Sequence, residues 1–245
     1  MRLNTDGLII REMQTGEADR LVTVLTRDMG VIKAFVRGAR SIKSRSLSAT
    51  QLLGYSRFSI YMSRDIYTID EAEPIEVFFG VRGDFARTSL AMYFCELICE
   101  LAPEGSDSQE ILSLALNTLY KLSNNKLPTH QLKAIFEMRL LSLTGYMPNL
   151  VGCTDCGKYT DDTMFFDVEH SQLYCSSCRP SHHTFELSVG VVTALRHICL
   201  SDPEKVFSFT LSASGLKSLS EISEIYLLAR TQRRYKSLEL YKSFT

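Results

Sequence analysis

The stretch Ile75-Glu76-Val77-Phe78-Phe79-Gly80-Val81-Arg82-Gly83-Asp84-Phe85-Ala86-Arg87 is where the chain changes its period. Before Gly80, apolar residues come in short β-branched or aromatic runs at 8–11, 21–26, 31–36, 55–62, and 66–69 with 75–79. Turn-forming groups separate them: Thr15-Gly16-Glu17, Arg27-Asp28-Met29-Gly30, Gly38 and Ser63-Arg64-Asp65. About five short strands in so little chain predict a small closed barrel. Beyond Gly80, residues 85–101, 108–122 and 129–143 carry apolar side chains at i, i+3, i+4 and i+7, as amphipathic helices do. Pro103, Pro128, Gly145 and Pro148 punctuate them. Residues 150–180 break the helical period, and 188–200 and 212–229 restore it. The expected architecture is α+β and multidomain. A β-barrel covers 1–80, a helical domain covers 81–149 and 183–245, and a cysteine-bearing insertion covers 150–182.

That insertion holds Cys153-x2-Cys156, then 18 residues, then Cys175-x2-Cys178. Two pairs at this spacing are the pattern of a four-thiolate zinc site. Each tight knuckle supplies two sulfurs to one tetrahedral ion, and Gly152 and Gly157 permit the turns beside the first. Four thiolates complete the shell and leave no position for a catalytic water, so one structural Zn2+ is expected. The alternative is a set of buried or redox thiols. His170, His182 and His183 could replace a cysteine, but read better as solvated loop residues. Cys95, Cys99 and Cys199 lie among apolar helical residues and read as small buried hydrophobes.

The chain has 245 residues, 45% hydrophobic and 22% charged, which is ordinary globular composition with length for more than one domain. Seven cysteines without a signal-peptide-like start argue against a disulfide framework. No run of about 18 apolar residues occurs, so no membrane association and a cytoplasmic location are expected.

The net charge of −1 conceals two opposed regions. Between Met29 and Arg64 stand Lys33, Arg37, Arg40, Lys43, Arg45, Arg57 and Arg64 with no acid among them. Between Ile66 and Leu112 the acids Asp70, Glu71, Glu73, Glu76, Asp84, Glu96, Glu100, Glu104, Asp107 and Glu110 face only Arg82 and Arg87. After Tyr226 the charge is basic again, with Arg230, Arg233, Arg234, Lys236 and Lys242 against Glu239. A basic barrel interleaved with Phe35, Tyr55, Phe58, Tyr61 and Tyr67 has the elements of a single-strand nucleic-acid surface, cations for phosphates and rings for bases. The seven basic residues are therefore the candidate nucleic-acid contacts. An ordinary solvated face is the plainer reading of the charges, and core packing that of the rings.

Gly7-Leu8-Ile9-Ile10-Arg11, Gly16-Glu17-Ala18-Asp19-Arg20-Leu21, Leu25-Thr26-Arg27-Asp28-Met29-Gly30 and Arg37-Gly38-Ala39-Arg40 resemble the opening of the bacterial RecO family. The helical segments, the four-cysteine insertion and Tyr235-Lys236-Ser237-Leu238 continue the likeness over essentially the whole chain. The resemblance implies an oligonucleotide/oligosaccharide-binding (OB) barrel, a helical domain and a zinc module. It implies a non-enzymatic mediator of DNA repair and homologous recombination, serving DNA damage and the SOS response through the RecF pathway. Such a protein binds single- and double-stranded DNA, anneals complementary strands, and with RecR loads RecA onto single strands coated with single-stranded DNA-binding protein, RecF being a further possible partner. It would act in the bacterial cytoplasm, at the nucleoid when active.

Family members also capture the acidic tail of single-stranded DNA-binding protein. An apolar groove rimmed by Lys121, Lys126, Lys133 and Arg139 would suit that tail, the alternative being solvent-facing cations on helices whose other side is core. Gly16 suits a tight turn, and Arg11, Arg20 and Arg27 either line a DNA face or pair with Glu12, Asp19 and Asp28. For an enzyme the sequence lacks a phosphate loop, a nucleophile elbow and a His-Glu-x-x-His motif, and Asp161 with Asp162 reads as a hairpin tip. The competing class is a zinc-stabilised nucleic-acid-binding regulator without annealing activity.

Overall fold

The computed structural model describes residues 1–15, 19–37 and 48–244. Contacts divide the chain into two compact units, 1–126 with 235–245, and 127–234.

The first unit is built on strands β1 (Arg2–Thr15), β2 (Asp19–Thr26), β3 (Gly30–Val36), β4 (Gly54–Ser63) and β5 (Ile66–Val77). They close into a barrel in the order β1-β2-β3-β5-β4, with β3 and β5 parallel and the other pairs antiparallel. This is the OB-like five-stranded arrangement expected. Strand β1 is longer than its apolar run because it serves two partners, β4 over Arg2–Leu8 and β2 over Gly7–Thr15. A register shift between Ile9 and Arg11 bends it from one to the other. Only its middle, Leu8, Ile9 and Ile10, is apolar and buried, so the polar ends give no strand signal. The interior is filled by Ile9, Val22, Val24, Ile32, Ala34, Val36, Phe58, Ile60 and Ile69. Truncating Phe58 there would cost about 3–5 kcal/mol.

Helices α1 (Phe85–Leu101) and α2 (Gln109–Ser123) complete this unit with α6 (Lys236–Lys242), the last of six among the described residues. Asp84 caps α1, its carboxylate accepting the Arg87 N–H at 2.9 Å. The link between the two helices runs beside the β2–β3 turn: Val31 N–H donates to the Pro103 carbonyl and Gly105 N–H to that of Met29, both at 3.0 Å. Gly30, at φ +64°, has no room for a Cβ against the Pro103 carbonyl. Contacts thus group α1 and α2 with the barrel, a different line from the one drawn by the change of period at Gly80. Cys99 is exposed, in contrast to the expectation, whereas Cys95 and Cys199 are buried.

The second unit contains α3 (Thr129–Leu143), the sheet β7-β6-β8 made of β6 (Thr163–Asp167), β7 (Gln172–Cys175) and β8 (Phe185–Ser188), and helices α4 (Val189–Leu200) and α5 (Ala213–Thr231). Helix α3 is not amphipathic: every residue from Gln131 to Leu141 is buried. The assignment of Lys133 and Arg139 to an exposed groove is therefore corrected. Lys133 is 1% exposed, its Nζ 3.0 Å from Glu137 Oε1 and 3.0 Å from Glu224 Oε2, and it donates to the Ser220 carbonyl at 3.1 Å. Ser223 Oγ donates to the other Glu137 oxygen at 2.6 Å. Arg139 donates to the Cys199 and Ile198 carbonyls at 3.0 and 3.3 Å, satisfying the C-terminal end of α4. Polar residues recurring along α3 imitate a solvent face, but Lys133 is neutralised by Glu137 and Glu224, and Arg139 is engaged by backbone carbonyls, inside the unit.

Candidate functional site

Cys153 and Cys156 flank a turn in which Gly157, at φ +73°, returns its N–H to the Cys153 carbonyl at 2.9 Å. The Cys153 N–H donates to the Lys158 carbonyl at 2.9 Å, and the Thr154 N–H to that of Leu173 at 2.8 Å, which ties the knuckle to β7. Cys175 ends β7 and Cys178 closes the short 3-10 turn Ser176–Cys178. The hairpin β6–β7 brings the second knuckle against the first, and the four sulfurs all lie within 4.8 Å of one another. Cys156 Sγ stands 3.6 Å from Cys175 Sγ. Four thiolates at about 2.3 Å from a tetrahedral ion would be spaced by about 3.8 Å, so this donor set fits Zn2+. Burial raises the Cys153 thiol, but the amides around it, those of Cys156, Cys175 and Asp155, outweigh burial and hold it down at about 6.

Three residues outside the cysteine motif hold this module. Asp161, read from sequence as a hairpin tip, accepts the Ser176 N–H at 3.0 Å, the Ser176 hydroxyl, and Lys158 Nζ at 2.9 Å. Its carboxyl is held well below the ordinary range, chiefly by Ser176 and then by Lys158. From α4, Arg196 donates to the Leu150 carbonyl at 2.6 Å and to that of Tyr159 at 2.5 Å, with its guanidinium 4.0 Å over the Tyr159 ring. From α5, Arg230 donates to the Val168 and Glu169 carbonyls at 3.0 Å each. Arg230 thus binds the β6–β7 turn, whereas its sequence neighbours suggested a basic tail. An arginine buried on an otherwise apolar helix face, as Arg196 is, was the signal available for such an anchor.

The histidines divide. His183 packs edge-on against Phe185 at 4.7 Å between ring centroids. His170 and His182 converge on Asp167: His170 Nδ1 and His182 Nε2 each lie 2.7 Å from the same carboxylate oxygen. None of the three histidines belongs to the cysteine cluster.

Of the seven candidate DNA contacts, Arg40, Lys43 and Arg45 lie outside the described residues. Lys33, Arg37, Arg57 and Arg64 are all exposed on the barrel or its turns. Lys33 lies on β3 just before the Ala34↔Tyr67 pairing with β5, and Arg64 sits in the β4–β5 turn that leads into β5, so the fold brings these two to one end of the parallel pair. Arg57 is opposite Glu73, seven residues along β5 from Ile66, or about 23 Å at strand rise. Arg57 Nε is also 3.3 Å from Asp6 Oδ1, and Arg27 is 3.2 Å from Asp6 Oδ2. Arg20 pairs with Glu12 across the β1–β2 ladder at 3.4 Å. An acid on the neighbouring strand therefore answers Arg57, one of the bases that sequence order left uncompensated. Phe58 is core, whereas Tyr61 is exposed and Phe35, Tyr55 and Tyr67 are half-buried. Lys126 is exposed at the end of α2, and Lys121 is half-buried.

Among the described residues no helix is long and apolar enough to cross a membrane. The family model "Recombination protein O N terminal" matches residues 1–78, and "Recombination protein O C terminal" matches 82–239. The chain is 35% identical over 242 residues to the DNA repair protein RecO of Acetivibrio thermocellus, covering 98% of this chain and 96% of the relative. It is 34% identical over 233 residues to the protein of that name from Dehalococcoides mccartyi, with 94% and 89% coverage. With the one from Alkaliphilus metalliredigens it shares 27% over 245 residues, with 99% coverage of each.

Proposed function

Because this chain belongs to the RecO family of DNA repair proteins, we propose that it is a non-enzymatic recombination mediator that binds single- and double-stranded DNA through the barrel and anneals complementary strands. In this reading it works in the RecF pathway of the bacterial cytoplasm. It acts with RecR, and where required RecF, to load RecA onto strands coated with single-stranded DNA-binding protein. The observation that carries the reading is the family match over both halves of the chain. The exposed Lys33, Arg37 and Arg64 support it, since phosphate neutralisation by such cations supplies most of the affinity for a strand of any sequence.

The four cysteines hold a structural Zn2+ in this proposal, supported by their spacing within 4.8 Å of one another. When bound, the ion cross-links the two knuckles. The acidic tail of single-stranded DNA-binding protein stays among the proposed partners, with Lys121 and Lys126 as the cations left outside the helix interior.

Annealing of complementary oligonucleotides without nucleotide tests the function. Acceleration by the full chain is expected, with a steep loss of single-strand affinity as salt is raised. Absence of annealing together with strong preference for one duplex would identify a regulator instead.

A further inference from the structure

We propose that Asp167, His170 and His182 form a second metal site, distinct from the four cysteines, that takes a divalent ion of borderline softness such as Zn2+. The three residues contribute two imidazole nitrogens and one carboxylate oxygen, and these donor atoms all lie within 4.8 Å of one another. Two imidazoles and a carboxylate are a donor set suited to zinc and its neighbours, in which water fills what the protein leaves open.

The carboxylate is built in, and the imidazoles are accessible. Asp167 is the last residue of β6 and is 1% exposed. Its Oδ1 accepts the His170 N–H at 3.0 Å, which leaves Oδ2 turned toward both rings. A backbone amide on the second oxygen is the outer contact that fixes a ligating carboxylate. The side chains of His170 and His182 are 57% and 47% exposed, so an ion can reach the cluster from solvent. Donors about 2.0–2.1 Å from a tetrahedral ion are spaced by about 3.3 Å. The present 2.7 Å separations therefore require each ring to withdraw by about 0.6 Å, a small rotation for side chains on a turn and a loop.

The backbone beneath the site is held on two sides. Arg230 binds the Val168 and Glu169 carbonyls, and Ser171 Oγ accepts the Tyr226 hydroxyl at 3.0 Å. His182 follows Cys178 by four residues, so an ion here would join the segment leaving the second knuckle to the turn of the β6–β7 hairpin.

The test uses the full chain freed of any affinity tag. Metal content after dialysis against Zn2+ and removal of the excess should be two ions per chain. His170→Ala/His182→Ala should hold one, with the thiolate-to-metal absorption of the Co2+-loaded cysteine site unchanged. Asp167→Asn, which keeps a hydrogen-bond acceptor but removes the anion, should weaken the second Zn2+ by at least 10-fold while circular dichroism confirms an intact fold. One ion in the unaltered chain would overturn the proposal and leave the trio as a hydrogen-bonded clasp. Two ions retained in the double histidine variant, or an unaltered second affinity in Asp167→Asn, would also overturn it.

Discussion

Asp161 accepts the backbone N–H of Ser176 at 3.0 Å, so a carboxylate on the arm leaving the first cysteine knuckle holds the second knuckle in place. Lys158, two residues after Cys156, closes the same contact at 2.9 Å. Outer contacts of this kind typically contribute 10- to 100-fold to metal affinity. Asp161→Ala is expected to weaken Zn2+ at the cysteine site by about that factor, measured by competition with a chromophoric chelator.

Acid acts on the same contact. The Asp161 carboxyl is depressed in the folded chain, so its contribution is fully present above its ordinary pKa of about 3.9 and is lost as pH falls through the lower folded value. The difference in melting temperature between the unaltered chain and Asp161→Asn should stay constant from about pH 7 to 5 and shrink below about pH 4. A gap that widened with acid would contradict the assignment.

Lys133→Met leaves Glu137 buried at the centre of α3 without its cation. Breaking a buried pair from one side costs about 3–5 kcal/mol. Urea unfolding of the second unit should register that loss. Affinity for an acidic tail peptide should not change in the fraction that remains folded, because Lys133 does not reach the surface.

On the barrel, Lys33 and Arg57 should behave differently toward single-stranded DNA. Each phosphate contact adds about 0.7 to the slope of log affinity against log salt for a single strand. Lys33→Ala is expected to remove about that amount. Arg57→Ala should remove less, because Asp6 at 3.3 Å already shares its charge. Equal losses at the two positions would place both on the strand's path.

Chelation should act on one unit before the other. All four cysteines lie between 127 and 234, whereas the barrel belongs to the first unit. Removing Zn2+ is expected to raise amide exchange in β6, β7 and the knuckles while single-strand affinity at the barrel persists. Simultaneous loss of both would link them.

The barrel and the cysteine knuckles were legible in the sequence because each rests on a short-range signal, period two in β3 and β4 and paired x2 spacing at the thiols. What was not legible depends on partners far along the chain. Arg57 gave no sign of Asp6, 51 residues earlier, and Lys133 gave none of Ser220, 87 residues later. Helix α3 misled for a related reason: its charges keep helical spacing, and only the tertiary packing decides that they face inward. Asp167 was passed over because it sits in a strand, where a carboxylate has meaning only once the turn and the loop bring His170 and His182 to it.

Helix α6 packs with α1, Tyr235 meeting the edge of Tyr93 at 5.6 Å and Phe244 stacking on Phe85 at 5.8 Å. The ribosome therefore delivers α1 early, but the helix that covers it only after residues 102–235 have been made. The nascent first unit must wait with that face of α1 bare, the kind of surface on which chaperones act. The inserted unit is meanwhile spliced in at two points, and a protease cutting once inside it would leave α1 and α6 still clasped, holding the severed pieces as one particle.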